Sequence, residues 1–169
     1  MAIDFSKSER LMLINQYRIL TLLDPENKEE YETNIKALED GYQFAYEELV
    51  DYLSETFADE ECRFVIDTLN MFEMIARAVD EKKIIIPENL KWKSHFIGFG
   101  DNQGESVYNG YSRFLIHKEG KFPRFRNTEL HSPVPTKDRY KRMLEIWEQL
   151  PTGEQCSPSE ATIQKLLEP

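Results

Sequence analysis

Apolar residues recur with a helical period along almost the whole chain, and strand-like alternation is nearly absent. A capping box at Ser6 and Glu9 begins the first helix, and Gly41 is placed to end the second. We therefore predict an all-α fold in which residues 1–169 form a single compact domain of about seven helices. The expected helices span residues 7–23, 27–40, 42–55, 59–81, 102–119 and 136–150, followed by a last helix near the C-terminus.

Two stretches interrupt this pattern. The irregular middle segment after residue 83 contains Pro87 and three glycines, and we expect Phe96, Ile97 and Phe99 in it to dock onto the core. The sequence leaves open whether a short strand forms at 84–86 or at 94–98. A long loop at 121–136 contains three prolines, and the last helix then begins at the motif SPSE, with Ser157 as its expected N-cap.

The first and fourth helices are apolar around most of their circumference. Such a helix is either central in the fold or shared with a partner. Because one small monomer is not expected to cover both, we predict a homo-oligomer.

Charge is unevenly distributed along the chain, whose net charge is −10. Residues 24–61 hold fourteen acids against Lys28 and Lys36, whereas residues 117–142 hold eight bases against three acids. These regions are either separate solvated faces or surfaces that attract one another, within one chain or across a symmetric oligomer.

Composition excludes several classes of protein. No apolar run approaches the roughly 20 residues that cross a bilayer, and the N-terminus shows no secretory pattern, so we expect a cytoplasmic protein without a membrane partner. Cys62 and Cys156 lie far apart, and no histidine pair has metal-ligand spacing, so we expect no metal and no cofactor.

The stretch VYNGYSRF, residues 107–114, has a glycine inside an expected helix, which costs about 0.5–1 kcal/mol relative to alanine. Either another helix packs into the notch at Gly110, with Arg113 paired to a carboxylate, or the notch admits a small anionic ligand held by Arg113. The candidate ligand-binding residues are Ser106, Tyr108, Gly110, Tyr111, Arg113 and His117.

A basic patch follows this helix and is interleaved with Phe122 and Phe125, a composition that suits phosphate neutralisation and base stacking. The net charge of −10 opposes a polyanion, so we expect docking onto an acidic protein surface rather than nucleic-acid binding. The patch comprises Lys118, Lys121, Arg124 and Arg126.

Two classes of function remain. The first is a binding or regulatory domain that recognises a small ligand or another protein. The second is a small enzyme that uses Arg113 with His117 or His131, although the chain contains no recognised catalytic motif and its catalytic residues stay unknown. We favour the first.

Several motifs in order resemble the YfbU-like family of bacterial and archaeal proteins, and together they cover nearly the whole chain. They are NQYRILTLLDP (15–25), GY (41–42), CRFVID (62–67), FIGF (96–99), YNGYSRF (108–114), YKRMLEIW (140–147) and SPSE (157–160).

The resemblance implies an all-helical and biochemically uncharacterised protein. Some members carry the domain beside a helix-turn-helix segment, which has suggested ligand sensing by association. The family pattern has an acid directly after GF, whereas this chain has Gly100 before Asp101. The acid of the family pattern is therefore displaced by one residue in this chain.

Overall fold

The computed structural model describes residues 3–100 and 104–168, and within these ranges all regular structure is helical, which confirms the all-α class. Their one strand-like pairing is an isolated parallel bridge between Gly100 and Ser132, so neither short strand forms. The α-helices are α1 (Lys7–Leu23), α2 (Lys28–Asp40), α3 (Tyr46–Val50), α4 (Asp59–Lys82), α5 (Ser106–Arg113), α6 (Lys137–Glu148), α7 (Thr152–Cys156) and α8 (Glu160–Leu167).

Helix ends agree with the sequence where a cap is strong. The Ser6 and Glu9 side chains form the predicted capping box of α1, and Gly41 ends α2 in the left-handed conformation with φ 76°. The third helix is shorter than expected, at Tyr46–Val50. The fifth passes from α5 into a single π-helical turn at Phe114–Lys118. The first two residues of its expected range, 102 and 103, lie outside the described residues.

The N-cap of the last helix was predicted at the wrong serine. Ser159, not Ser157, caps α8, and its hydroxyl accepts a hydrogen bond from the Thr162 amide. The physical reason lies in α7, which the sequence did not indicate. Glu154 of this helix accepts hydrogen bonds from the Ser159 amide and the Thr162 hydroxyl, which fixes the start of α8 two residues later.

The chain forms two compact units, residues 1–56 and 57–169, and the single-domain organisation stays a prediction. In the N-terminal unit, α1 packs on α2 around Ile14, Leu38 and Tyr46. Ile14 is the one fully buried residue of α1. Of the two explanations for this apolar helix, a central position in the fold is therefore wrong.

In the C-terminal unit, α4 is the central helix, as its apolar circumference predicted, and buries Val65, Leu69, Phe72 and Ile75 completely. The irregular segment after it docks onto the core as expected, with Phe96 and Phe99 buried and Ile97 half-buried. The buried Tyr140 hydroxyl donates to the Gly98 carbonyl at 3.0 Å, which attaches the segment to α6.

Candidate ligand-binding cavity

The residues proposed on α5 do not form a packed notch. Ser106, Gly110, Arg113 and His117 are exposed, whereas Tyr108 is buried. A Cβ atom built at Gly110 meets no atom within 4 Å apart from its own helix backbone and chain neighbours, so the explanation that a helix of this chain packs there is wrong.

Arg113 is not paired with the carboxylate that the packing explanation required. Its guanidinium donates to the Leu130 carbonyl at 3.3 Å and so anchors the loop that precedes α6. Beside it, the rings of Tyr111 and Phe114 stack with centroids 6.2 Å apart. This arrangement supports the fold and leaves the guanidinium directed at the backbone.

Tyr108 belongs to a polar cluster that joins three helices. Its hydroxyl donates to Glu61 of α4 at 2.5 Å and accepts a hydrogen bond from the Lys137 ammonium of α6. The hydrogen bond from Tyr108, aided by the positive charge of Lys137, lowers the pKa of Glu61. Burial, together with the bond to Glu61, raises the pKa of Tyr108. The phenol therefore stays protonated and the cluster acts as a structural ion pair.

Glu105 is a buried carboxylate whose role the sequence did not indicate. It accepts hydrogen bonds from the backbone amides of Gly100 (2.8 Å), Thr136 (3.0 Å) and Lys137 (3.1 Å). The carboxylate thereby caps the start of α6 and holds the end of the irregular segment. Asp101, the acid that follows Gly100, lies outside the described residues.

The basic patch is partly neutralised by its own neighbours. Arg124 forms a 2.6 Å ion pair with Asp80, and Lys121 forms one of the same length with Glu119. Phe125 is buried, so its ring is not available for stacking on a base, and Phe122 is half-buried against the core. The buried position of Phe125 removes one of the two rings of the proposed nucleic-acid surface.

Beside the patch, the C-terminal unit contains a cavity of about 450 Å³. Its floor is apolar and comes from α4, from the isoleucine run after α4 and from the loop around Phe125. The lining residues on this floor are Phe72, Ala76, Val79, Ile84, Ile86, Phe96 and Phe125. The volume falls within the range of roughly 300–1,000 Å³ typical of small-molecule sites.

The rim of the cavity is polar and charged. Lys91, His95 and the Asp80–Arg124 ion pair are exposed lining residues, and Ser94 and Thr128 add two hydroxyl groups to the lining. Two hydrogen bonds fix the orientation of the His95 ring, whose Nδ1 lies 2.8 Å from the Lys91 carbonyl and 3.1 Å from the Ser94 hydroxyl. An apolar floor under convergent polar groups is the usual construction of a ligand site.

Of the residues proposed from the sequence for ligand binding or the basic patch, Arg124 alone lines this cavity, and none of the six candidate ligand-binding residues does. The sequence feature that could have indicated the cavity is the run Ile84–Ile86, three apolar residues outside any helix and next to Pro87. A second aromatic-rich loop at 122–125 completes the walls. Sequence order does not show that these two loops line the same cavity with α4.

Two further observations limit the chemistry within residues 3–100 and 104–168. No group of three or more His, Cys, Asp or Glu side chains is placed to hold a metal ion there. None of the helices in the same ranges has both the length and the apolar character needed to span a bilayer.

The sequence profile of the YfbU domain matches residues 3–168 of the chain. The chain belongs to the YfbU family. It is similar to a UPF0304 protein of Methanocaldococcus jannaschii, with 35% identity over 149 residues that cover 85% of this chain and 87% of the relative. It is also similar to a UPF0304 protein of Pasteurella multocida, with 31% identity over 169 residues that cover 97% and 98%. YfbU relatives in an archaeon and a bacterium thus match almost the full length.

Proposed function

We propose that this YfbU-family chain is a ligand-binding domain whose cavity takes a small amphipathic anion. The observation that carries the proposal is the 450 Å³ cavity, in which an apolar floor lies beneath a rim containing Lys91 and Arg124. The cytoplasmic location expected from the sequence belongs to the same proposal.

The lining favours a ligand with an apolar body and one charged end. Burying an apolar body against the accessible apolar side chains of the lining, which include Ala76, Val79 and Ile84, supplies the binding free energy, at about 25 cal/mol per Å². A negatively charged end is favoured because two cations lie at the rim. Their present partners, Asp80 and Glu88, are 63% and 86% exposed, and such surface pairs are worth about 0–1 kcal/mol, so an incoming anion replaces them at little cost.

The position of the cavity suits a sensing role. Its walls come from the rigid helix α4 and from two loops, residues 84–96 and 121–128. A ligand that contacts all three elements stabilises one arrangement of the loops, and this is how occupancy becomes a signal to a partner protein. The enzyme alternative with Arg113 and His117 or His131 stays a prediction, and the contact of Arg113 with the Leu130 carbonyl supports an anchoring role for that side chain.

Calorimetric titration with decanoate, an amphipathic carboxylate, tests this function, with the neutral decanamide as the matched ligand. We expect decanoate to bind more tightly than decanamide, and Arg124→Gln to weaken decanoate binding by roughly tenfold, because the charge-assisted contact is lost. Arg126→Gln is the control, since Arg126 is exposed on the same loop and lies outside the cavity lining. Equal binding of the two ligands, or equal effects of the two variants, contradicts the proposal.

A further inference from the structure

Helix α1 has two faces with different surroundings. The face that bears Ile14 and Tyr17 packs within the N-terminal unit. The opposite face is exposed although it is apolar, and its side chains are 56% to 81% accessible. They are Leu11 (57%), Met12 (57%), Ile19 (56%), Leu22 (81%) and Leu23 (75%).

The spacing on the exposed face is that of a helix-pairing seam. Ser8, Met12, Asn15, Ile19 and Leu22 follow one another at intervals of four, three, four and three residues, which is the repeat of a coiled coil. In such a repeat the residues fall on one line along the helix and interlock with a second helix of the same kind. The seam therefore fits a helix rather than a loop or a sheet edge.

We propose that the exposed seam of α1 binds the α1 seam of a second copy of this chain. The five seam residues from Ser8 to Leu22 carry no charge, and Arg18 beside them forms an ion pair with Glu39 at 2.9 Å. Two copies therefore approach here without opposing like charges, although each carries a net charge of −10. A basic partner is attracted instead to the acidic residues of segment 24–61.

Asn15 in the middle of the seam makes the contact self-complementary. A side-chain amide both donates and accepts hydrogen bonds, so it pairs with a copy of itself across a two-fold axis. An asparagine at one position of such a seam also fixes the register of the two helices. Each copy thus presents the same residues with which it contacts the other copy.

The size of the N-terminal unit supports the same conclusion. Its buried cluster contains Ile14, Leu38 and Tyr46, a small core for a helical hairpin. Two hairpins joined through α1 place four helices around a shared apolar seam, which is a common stable arrangement. The second copy supplies the apolar layer that one unit lacks.

Sedimentation velocity of the full chain tests the proposal. We expect the wild type to form dimers at micromolar concentration and Ile19→Glu to sediment as a monomer, because a charge then lies in the seam. Phe44→Glu is the matched control: Phe44 is 86% exposed in the same unit but lies outside α1, so the dimer should persist. A monomeric wild type, or a dimer that survives Ile19→Glu, overturns the proposal.

A second measurement needs no variant and covers the case in which Ile19→Glu does not fold. Dilute peroxide oxidises exposed methionine, and Met12 is 57% accessible in the single chain. We expect Met12 oxidation in the wild type to slow as protein concentration rises into the dimer range, while that of Met74, which lies on α4, stays constant. A Met12 rate independent of concentration contradicts burial of the seam by a second copy.

Discussion

The two units of this chain treat similar apolar helices in opposite ways. Among the described residues, the buried apolar cluster of the C-terminal unit contains twenty-one residues, whereas that of the N-terminal unit contains three, of which Ile14 lies on α1. Both helices have apolar circumferences in sequence. The comparison shows that an apolar helix indicates a surface to be covered, and the fold decides whether the same chain covers it.

The largest expected effect is the loss of stability when a phenylalanine in the core of the C-terminal unit is truncated, compared with truncation of an exposed phenylalanine in the N-terminal unit. Phe99 is fully buried and contacts the rings of Phe96, Tyr108 and Tyr140, so Phe99→Ala should lower the free energy of unfolding by about 3–5 kcal/mol. Phe44→Ala in the N-terminal unit should change it by less than about 0.5 kcal/mol, since Phe44 is exposed. Urea denaturation measures both, and similar losses would contradict the description of the cores.

A smaller effect tests the exposed face of α5. Because a methyl group at Gly110 meets open space, Gly110→Ala should raise the free energy of unfolding by about 0.5–1 kcal/mol through helix propensity. Gly104 is the control: its surroundings are equally open, but its φ of 82° strains any side chain, so Gly104→Ala should destabilise. A destabilised Gly110→Ala protein in thermal or urea melts would restore the packing explanation.

The smallest expected effect is a pH dependence in the C-terminal unit. The pKa of Glu61 is lowered below its ordinary 4.5, so its stabilising contribution is present above that value and is lost as pH falls through the folded pKa. The stability difference between wild type and Tyr108→Phe should therefore shrink by about 0.5 kcal/mol from neutral pH to acid, a modest value because Glu61 is 39% exposed.

Tyr52→Phe is the control for this measurement, because Tyr52 is 82% exposed in the N-terminal unit. Its stability difference from the wild type should not change with pH over the same range. A Tyr108→Phe difference that stays constant from neutral pH to acid would show that the hydrogen bond to Glu61 does not shift the titration of that carboxylate.

Local signals predicted the helices, and long-range contacts decided the rest. Gly41 and the Ser6 capping box act within a few residues, so the ends of α1 and α2 were readable from the sequence. Ser159 replaced Ser157 as a cap because Glu154 reaches it from α7, and Glu105 caps α6 from 31 residues away. Such contacts have no sequence spacing that identifies them.

The candidate site illustrates the same limit. The glycine inside the predicted helix indicated a site around Gly110. In the structure Gly110 faces open space, and the Arg113 guanidinium donates to the Leu130 backbone carbonyl. The cavity instead joins the isoleucine run to the loop at Phe125, two segments about 40 residues apart in sequence. The sequence placed Arg124 in the basic patch because of its charge, whereas the structure places it in the lining of the cavity.

The central claim is that the C-terminal unit holds a ligand cavity beside α4, and filling that cavity tests it most directly. Ala76 lines the floor, so Ala76→Phe places a ring where the apolar part of a ligand would lie. In melting experiments on the full chain, decanoate should raise the Tm of the wild type and leave that of Ala76→Phe unchanged, with both proteins folded by near-UV circular dichroism. An equal rise in Tm for the two proteins would contradict the claim.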